Sequence, residues 1–505
     1  MFILSQAHQA MAHRKRRTLA QYDVYDIIDR NGRAPLKYEN PIEEYKKRLT
    51  DYLDHAENTV DCVLWDPEWP NGEEYTQYPS KIRPRFTCGF YGLLEDMYKI
   101  YEEAGRKRGL ESILCHRITG SDPFYEEFPP VHKLAHPEMY IFDWWKLGLH
   151  NLNEPEIRKR KLEALTECME NYDFDGLEID FCRHTPFLPP GRQWELRGAV
   201  TEFMTDVRKM LLTMEEKKGK PMMLYARVPH TVAGANEDGL DVALWADEQI
   251  VDCLIIGTRS YFADIEDYRR KTHGLVRLFP CFDYHHCTDG YANAPLEVAR
   301  GVFSNWWDQG ADGIVLFNWM AARREVYQET AKSKIRIHPN CEVEQLREAA
   351  DPEYMKKQTR TFVAERRGGY PYCNGFANHN MDKPLPIKIT QEKDALVEIR
   401  TSEARDDGRL TLILSGDKGN ICVWVNGEEV TGEVQTGYED KLIRYPVPVS
   451  GFHPDDLDEV EGQSLIRCIF DHVRCVKGIN HIRVKAENMQ LEKAEITLFQ
   501  EEEHS

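Results

Sequence analysis

Residues 172–183 read YDFDGLEIDFCR, and this stretch has the two-residue alternation of a strand within a parallel sheet. Leu177, Ile179 and Phe181 share one face, which we expect to pack against covering helices. The opposite face carries Gly176, Glu178, Asp180 and Cys182. We expect this second face to point into a barrel.

Seven other short apolar runs in the first 330 residues are each followed by an amphipathic stretch, which is typical of βαβ units. The eight predicted strands are Thr18–Asp23, Val60–Asp66, Glu111–Ile118, Phe174–Cys182, Met222–Val228, Val251–Gly257, Leu275–Phe282 and Gly313–Trp319. Helical spacing of apolar residues predicts helices over Pro41–Ala56, Gly92–Arg108, Glu154–Glu170 and Arg192–Leu212. Since no glycine-rich phosphate loop follows the first strand, the pattern favours a (β/α)8 TIM barrel over a doubly wound sheet.

The pattern changes after about residue 380, where helical periodicity ends and short strands begin. The predicted strands are Val397–Arg400, Leu410–Ser415, Ile421–Val425, Leu442–Tyr445, Leu465–Phe470, His481–Val484 and Ala494–Phe499. Asn426-Gly427 predicts a type I′ hairpin turn, and we expect Trp424 in the core rather than as a sugar platform. We therefore predict a catalytic barrel over 1–330, a connector over 331–383 and an antiparallel β-sandwich accessory domain over 384–505.

The net charge of the chain argues against two classes of partner. It is -20 over 505 residues, whereas nucleic acid and anionic membranes are bound through Lys and Arg. No apolar run approaches the roughly 18 residues that span a bilayer. We therefore expect neither a nucleic-acid nor a membrane partner, while a homo-oligomer stays compatible with the sequence.

The cysteines and the first residues bear on the cellular compartment. The 13 cysteines are odd in number and scattered singly, without a Cys-x-x-Cys pair, which argues against disulfides and structural zinc and favours a reducing compartment. The four apolar residues at the start are fewer than the roughly 7–15 of a secretory core. We expect a cytoplasmic protein, or a periplasmic or secreted one if a signal peptide has been removed.

Strand 174–182 ends where a TIM barrel has its active site. Glu178 and Asp180 share its inner face, and two buried carboxylates are costly unless they are paired or used. Their coupling would separate their pKa values, with Arg183 holding one of them ionised. The structural alternative is a buried Glu–Arg or Asp–Arg network that braces the barrel. Asp175 and the Asp312-Gly313 pair start strands at the opposite face, so we interpret them as structural turns.

Asp283 is the carboxylate at the end of the seventh predicted strand. A glycosidase needs two carboxyl groups beside the scissile bond, one of them an acid and the other a nucleophile or base. Asp180 therefore has two candidate partners, Asp283 and Glu178. Spacing along the sequence does not choose between them.

Aromatic and polar side chains recur at the predicted strand ends. Trp and Tyr rings suit the C–H faces of pyranoses, and Asp, Asn, Arg and His suit hydroxyl or acidic groups. The candidate substrate-binding residues are Trp65, Asp66, Trp69, His116, Arg183, Arg227, Tyr261, His285, Asn318 and Trp319.

Metal and serine chemistry are less well supported by the sequence. Histidines are numerous in the predicted barrel, but no His-x-His follows the first strand and no HExxH occurs. A GxSxG nucleophile motif is also absent. We predict no metal and no cofactor.

Two motifs carry a family resemblance. The run 172–184 follows LNEPEIR at 152–158, and together they resemble the glycosyl-hydrolase-like family 10 and related uncharacterised bacterial barrels. The resemblance covers roughly residues 15–330. It implies a (β/α)8 fold and glycan hydrolysis, with Asp180 at the position that such families use or propose for catalysis. Glu178 stands where many of those proteins carry an uncharged residue.

The leading hypothesis is a glycoside hydrolase that cleaves O-glycosidic bonds of a poly- or oligosaccharide. In it, Asp180 is nucleophile or base, and Glu178 or Asp283 is the proton donor. The alternatives are a non-catalytic glycan-binding barrel, a metal-dependent hydrolase or isomerase, and an interaction module built on the sandwich.

Overall fold

A computed structural model describes residues 1–23, 38–55, 59–67, 74–87, 89–119, 128–143, 145, 147–257, 260–283, 294–317, 347–366, 383–417, 419–439 and 465–500. The strands of its first part are β1 (Thr18–Asp23), β2 (Cys62–Asp66), β3 (Glu111–Arg117), β4 (Tyr140–Ile141), β5 (Leu149–His150), β6 (Gly176–Asp180), β7 (Met223–Val228), β8 (Cys253–Ile256), β9 (Arg277–Asp283) and β10 (Ile314–Phe317). Apart from the β4–β5 ribbon, they close into a parallel barrel in the order β1-β10-β9-β8-β7-β6-β3-β2. The predicted (β/α)8 barrel and its eight strands are confirmed.

Helices cover the outside of this barrel. They are α1 (Gln6–Ala12), α2 (Pro41–His55), α3 (Met97–Lys107), α4 (Val131–Ala135), α5 (Pro155–Asn171), α6 (Gln193–Lys218), α7 (Val232–Asp238), α8 (Val242–Asp247), α9 (Ile265–Lys271), α10 (Leu296–Asp308) and α11 (Pro352–Lys356). The four predicted helices correspond to α2, α3, α5 and α6. Helix α3 begins later than predicted because Asp96 caps it by accepting from the Lys99 N–H at 2.9 Å. None of the described helices is long and apolar enough to cross a membrane.

Alternation along β6 is as predicted. Leu177, Ile179 and Phe181 belong to the apolar layer between barrel and helices. A separate apolar cluster fills the barrel interior, with Cys62 and Tyr225 among its members. The inner positions of β6 therefore face this enclosed interior.

Strand register sets the heights of residues around the barrel. If the register is followed from Asp180 through β7, β8, β9, β10, β1, β2 and β3, it returns to β6 at Tyr172, eight residues earlier. A shift of eight is the shear of a TIM barrel, about one residue per strand. On this count Asp66 lies level with Asp180, and position 283 lies within about one residue of that level.

Four aspartates brace the amino-terminal edge of the barrel, one before every second strand. Each carboxylate accepts a hydrogen bond from a backbone N–H at the start of the neighbouring strand. The pairs are Asp61 with Arg17 at 2.7 Å, Asp175 with Ser112 at 2.8 Å, Asp252 with Leu224 at 2.7 Å, and Asp312 with Leu278 at 2.8 Å. The structural interpretation of Asp175 and Asp312 is confirmed.

The second part of the chain contains two antiparallel sheets. Its strands are β11 (Arg360–Val363), β12 (Ile387–Ile389), β13 (Ala395–Thr401), β14 (Arg405–Gly416), β15 (Cys422–Val425), β16 (Glu428–Val430), β17 (Glu433–Tyr438), β18 (Leu465–Cys475), β19 (Gly478–Lys485) and β20 (Met489–Leu498). One sheet has the order β11-β20-β14-β18-β17 with β12 also on β20, and the other has the order β13-β19-β15-β16. Their inner faces share one apolar core, as in the predicted β-sandwich. Strand β11 falls within the range predicted as connector, and the predicted strand Leu442–Tyr445 lies outside the described residues.

The strand pair β15–β16 contains one confirmed and one wrong prediction. Asn426 and Gly427 join the strands with φ of 51° and 89°, which are the positive values that a type I′ turn needs. Val423 and Val425 are buried in the sandwich core. Trp424, expected in that core, is half-buried on the opposite face of the strand. The alternation of β15 puts only one face inward, and the valines occupy it.

The sandwich packs directly against the barrel. A Cβ on Gly301 of α10 would lie 2.1 Å from the Thr361 backbone oxygen of β11, so only glycine permits this approach. Asn305 of α10 donates to the Arg400 backbone oxygen at 2.9 Å. Arg400 in turn pairs with Glu266 of α9 at 2.7 Å.

Candidate functional site

Glu178 and Arg227 form an ion pair in the barrel interior. Arg227 on β7 donates through Nε to Glu178 Oε1 at 2.7 Å, and its Nη2 lies at the same distance from that oxygen. Neither side chain has solvent exposure. The buried Glu–Arg pair that we weighed as the structural alternative is thus present, and Arg227 supplies its cation.

The ion pair continues into a network across the interior. Arg227 Nη2 also donates to the side-chain oxygen of Gln21 on β1. Gln21 donates to Asp66 Oδ2 at 2.9 Å, and Arg117 donates to the same oxygen from Nε at 3.0 Å and Nη2 at 2.7 Å. The network therefore links two carboxyl groups, those of Glu178 and Asp66, to two guanidinium groups across the barrel. Such buried charges hold their geometry because each has a hydrogen-bonded partner.

Asp180 lies at the carboxyl end of β6, level with Asp66 and two residues beyond Glu178. Its Oδ1 accepts from the Cys182 N–H at 2.7 Å and lies 3.9 Å from Arg227 Nε. Its register partners on the neighbouring strands are Arg117 and Arg227. Asp180 is 1% exposed, so it lies in the same enclosed interior as Arg227.

Burial dominates the electrostatics of Glu178. Burial raises the pKa of Glu178, and this effect exceeds the opposing influence of Arg227, while the neighbouring charge of Asp180 adds to the increase. Within the described residues, Glu178 Oε2 accepts no hydrogen bond from a side-chain or backbone donor. Glu178 thus lies on the inner face of β6, two residues before Asp180.

Asp283 is the last residue of β9, where its backbone pairs with Phe317 of β10. β9 is three strands from β6 around the barrel. The shear derived above brings position 283 to the height of Asp180. The backbone therefore brings Asp283 and Asp180 to one level of the mouth.

Two candidate substrate residues lie outside the barrel interior. The Trp65 ring is fully buried and stacks on Tyr101 of α3, with centroids 5.0 Å apart and planes 7° apart. His116 Nε2 lies 3.5 Å from the Lys161 ammonium of α5. Both occupy the outward phase of their strands, next to the inward Asp66 and Arg117. We therefore leave them out of the proposed site.

Arg117 is an interior residue that our list of candidates omitted. On β3 it lies four residues after Ile113, a member of the interior cluster, and therefore points to the same side. Its guanidinium binds Asp66. Strand phase alone was a sufficient signal, since Arg117 and Glu178 have the same parity as the inner residues of their strands.

Two other candidates lie at the edge of the site. Tyr261 is buried where the barrel meets the sandwich, stacked on Phe282 with centroids 5.2 Å apart. Its N–H donates to Glu365 Oε1 at 2.6 Å. Arg183 is half-buried, and its backbone oxygen accepts from the Thr119 hydroxyl at 2.6 Å.

The remaining candidates are Trp69, His285, Asn318 and Trp319, and they lie outside the described residues. In the part of the chain that the structure does describe, no group of three or more His, Cys, Asp and Glu side chains is placed to hold a metal ion.

Comparisons with known proteins give structural neighbours only. No family model matches the chain, so the resemblance to the glycosyl-hydrolase-like family 10 stays a prediction. No curated protein matches it either.

Among solved structures, the chain is similar to the PgaB (BpsB) glycoside hydrolase domain from Bordetella bronchiseptica, with 10% identity, TM-score 0.41, and coverage of 63% of this chain and 98% of that one. It is also similar to an alpha-amylase from Malbranchea cinnamomea (11% identity, TM-score 0.37, coverage 92% and 96%). A third neighbour is the catalytic domain of psychrophilic chitinase B from Arthrobacter TAD20 (9% identity, TM-score 0.39, coverage 65% and 97%). With identities near 10% and TM-scores below 0.5, no activity follows from these similarities.

Proposed function

We propose that the protein is a glycoside hydrolase whose reaction centre lies at the barrel mouth, with Asp180 as nucleophile or base and Asp283 as proton donor. The observation that carries this proposal is the position of Asp180. It ends β6 at the face where TIM barrels hold their active sites, and its register partners are two arginines.

Asp283 is the better partner for Asp180 than Glu178. Glu178 shares Oε1 with two nitrogens of Arg227, so that oxygen is committed to the network. Position 283 is level with Asp180 on another strand, as a pair that flanks a bound sugar requires. Glu178 then acts as a positioning residue that orients Arg227.

Arg227 and Asp66 complete the proposed centre. Arg227 Nε lies 3.9 Å from Asp180 Oδ1, while Gln21 and Arg117 fix Asp66 at the same level. A nucleophilic or basic carboxylate must be ionised when it reacts. The acid role of Asp283 requires the opposite, a carboxyl that keeps its proton.

A depolymerisation screen tests the proposal. The protein is incubated with a panel of plant, algal and microbial glycans, and products are read by mass spectrometry. Asp180→Asn and Asp283→Asn are each expected to lower the rate by about 100-fold or more. Asp173→Asn is the matched control, since this exposed carboxylate precedes the same strand at the far end of the barrel. Cleavage that survives Asp180→Asn would contradict the assignment.

The second candidate function is a barrel that binds glycans without cleaving them. The pairing of Glu178 with Arg227 favours it, because one of the two candidate carboxylates on β6 is thereby neutralised. In that case no glycan is cleaved, and a glycan that binds the wild type binds the Asp180→Asn variant with altered affinity.

A further inference from the structure

A cleft of about 900 Å³ lies between the barrel and the sandwich. One wall is the outer face of the β13-β19-β15-β16 sheet, which carries Trp424 and Arg483. The other wall comes from the barrel, where Phe262 is 41% exposed and Asn305 and Gln309 line the floor. The volume is within the range of about 300–1,000 Å³ that ligand sites occupy.

The sheet wall is built as a row of side chains across three strands. Leu396, Arg483 and Trp424 are direct register partners on β13, β19 and β15. The Arg483 guanidinium lies 3.8 Å from the centre of the indole ring, which holds the ring in place. Leu396 is 69% exposed. A large aromatic ring and an aliphatic side chain thus line the cleft side by side.

The charges around the cleft occur in pairs. Glu398 lies 3.4 Å from His481 on the next strand, and Arg400 is bound to Glu266 at 2.7 Å. At the inner end, Lys383 is bound to Glu365 at 3.0 Å. Because Arg400 and Lys383 are each already bound to a carboxylate, a strongly anionic ligand would gain little. A neutral ligand with many hydroxyl groups would instead find both donors and acceptors beside an aromatic ring.

A peptide fits this surface less well than a sugar. Peptides add to sheets through unpaired backbone groups at an edge strand. The cleft wall is a sheet face, and β19 is paired on both sides, with β13 and β15. At Arg483 and Trp424, on strands that are paired on both sides, side chains alone are therefore available for recognition.

We propose that this cleft is a second binding site for a neutral oligosaccharide segment, with Trp424 as its aromatic platform. The identity of the ligand as a carbohydrate rests on the proposed function of the barrel. A site here would hold one part of a polymer while another part reaches the barrel mouth.

The test uses the full chain carrying Asp180→Asn, so that the probe is not consumed. Native gels are cast with xylan, mixed-linkage β-glucan, galactomannan or soluble starch, and retardation of the protein gives its affinity. At least one polysaccharide should retard this parent protein. Adding Trp424→Ala should weaken the affinity by about tenfold or more, and Trp424→Phe should restore most of it.

Trp194→Ala is the matched control. Trp194 is an exposed tryptophan on α6 that also stacks with an arginine, Arg197, at 4.2 Å, and it does not line the cleft. Its removal should leave retardation unchanged. The melting temperature of the Trp424→Ala variant should stay close to that of the parent, because Trp424 lies outside the sandwich core.

Each result has a distinct meaning. Equal retardation of the Asp180→Asn parent and of its Trp424→Ala derivative would overturn the cleft proposal. The proposal would also be overturned if no polysaccharide retarded the parent. If Trp424→Ala abolishes retardation and the wild type cleaves no glycan, the cleft proposal is supported and the hydrolase proposal is contradicted. Retardation by denatured casein in place of polysaccharides would identify a protein ligand and also overturn the proposal.

Discussion

Arg227 Nε donates a 2.7 Å hydrogen bond to Glu178 Oε1 inside the barrel, and neither side chain reaches solvent. This contact divides the two inner carboxylates of β6 into different roles. Glu178 is held directly by the guanidinium, whereas Asp180, also buried, accepts from the Cys182 N–H at 2.7 Å and lies 3.9 Å from the same guanidinium.

Removal of one member of the buried pair should destabilise the protein strongly. In Arg227→Met the Glu178 carboxylate loses its cation without access to water, at a cost of about 3–5 kcal/mol. Adding Glu178→Gln to that variant should recover much of the loss, since the carboxyl that was bonded directly to Arg227 is then also removed. Urea unfolding of both variants measures this. Equal urea midpoints for Arg227→Met and for the variant that also carries Glu178→Gln would contradict the pairing.

Stability should depend on pH through His8. Burial alone lowers the pKa of His8, but Asp252 at 2.9 Å and Glu215 at 2.7 Å outweigh it and raise the pKa above the ordinary 6.5. The stabilisation is therefore complete below pH 6.5 and is lost as the pH rises through the raised value. The melting temperature of the wild type should exceed that of His8→Gln more at about pH 6 than at about pH 9. A difference that grows with pH would contradict this sign.

Asp312→Ala should separate stability from activity. It removes the acceptor for the Leu278 N–H and for Arg277 at 2.6 Å, which costs about 1–3 kcal/mol. Asp312 lies at the amino-terminal edge, opposite the proposed reaction centre. The melting temperature should fall, whereas the rate of glycan cleavage per folded molecule should equal that of the wild type. A lowered rate per folded molecule would count against the position of that centre.

Gly301→Ala should loosen the sandwich from the barrel. Its new Cβ would meet the Thr361 backbone oxygen at 2.1 Å, a clash that neighbouring backbone relieves only by moving, at about 1–3 kcal/mol. Gly198→Ala in α6 is the matched control, because nothing lies within 4 Å of its Cβ, and it should stabilise the helix by about 0.5–1 kcal/mol. Calorimetry and limited proteolysis of residues 347–366 distinguish the two. Equal effects of both substitutions would contradict the close contact.

Much of the fold was predictable because it depends on local periodicity. Alternation by two assigned the faces of β6, and the Asn426-Gly427 pair identified a hairpin turn. The same rule, applied to β3, would have assigned Arg117 to the interior and His116 to the helix side. Applied to β2, the rule would have assigned Asp66 to the interior and Trp65 to the helix side.

The sequence alone determined the eight strands, the barrel they form, the enclosure of Glu178 and Asp180, and the sandwich that follows. Only the tertiary structure decided that Arg227 pairs with Glu178, and that Trp424 lines a cleft instead of the core. The physical reason is that strand period specifies a face, whereas the neighbours on that face depend on the eight-residue shear of the closed barrel and on packing between distant segments. Those relations join residues far apart in the chain, and no local pattern encodes them.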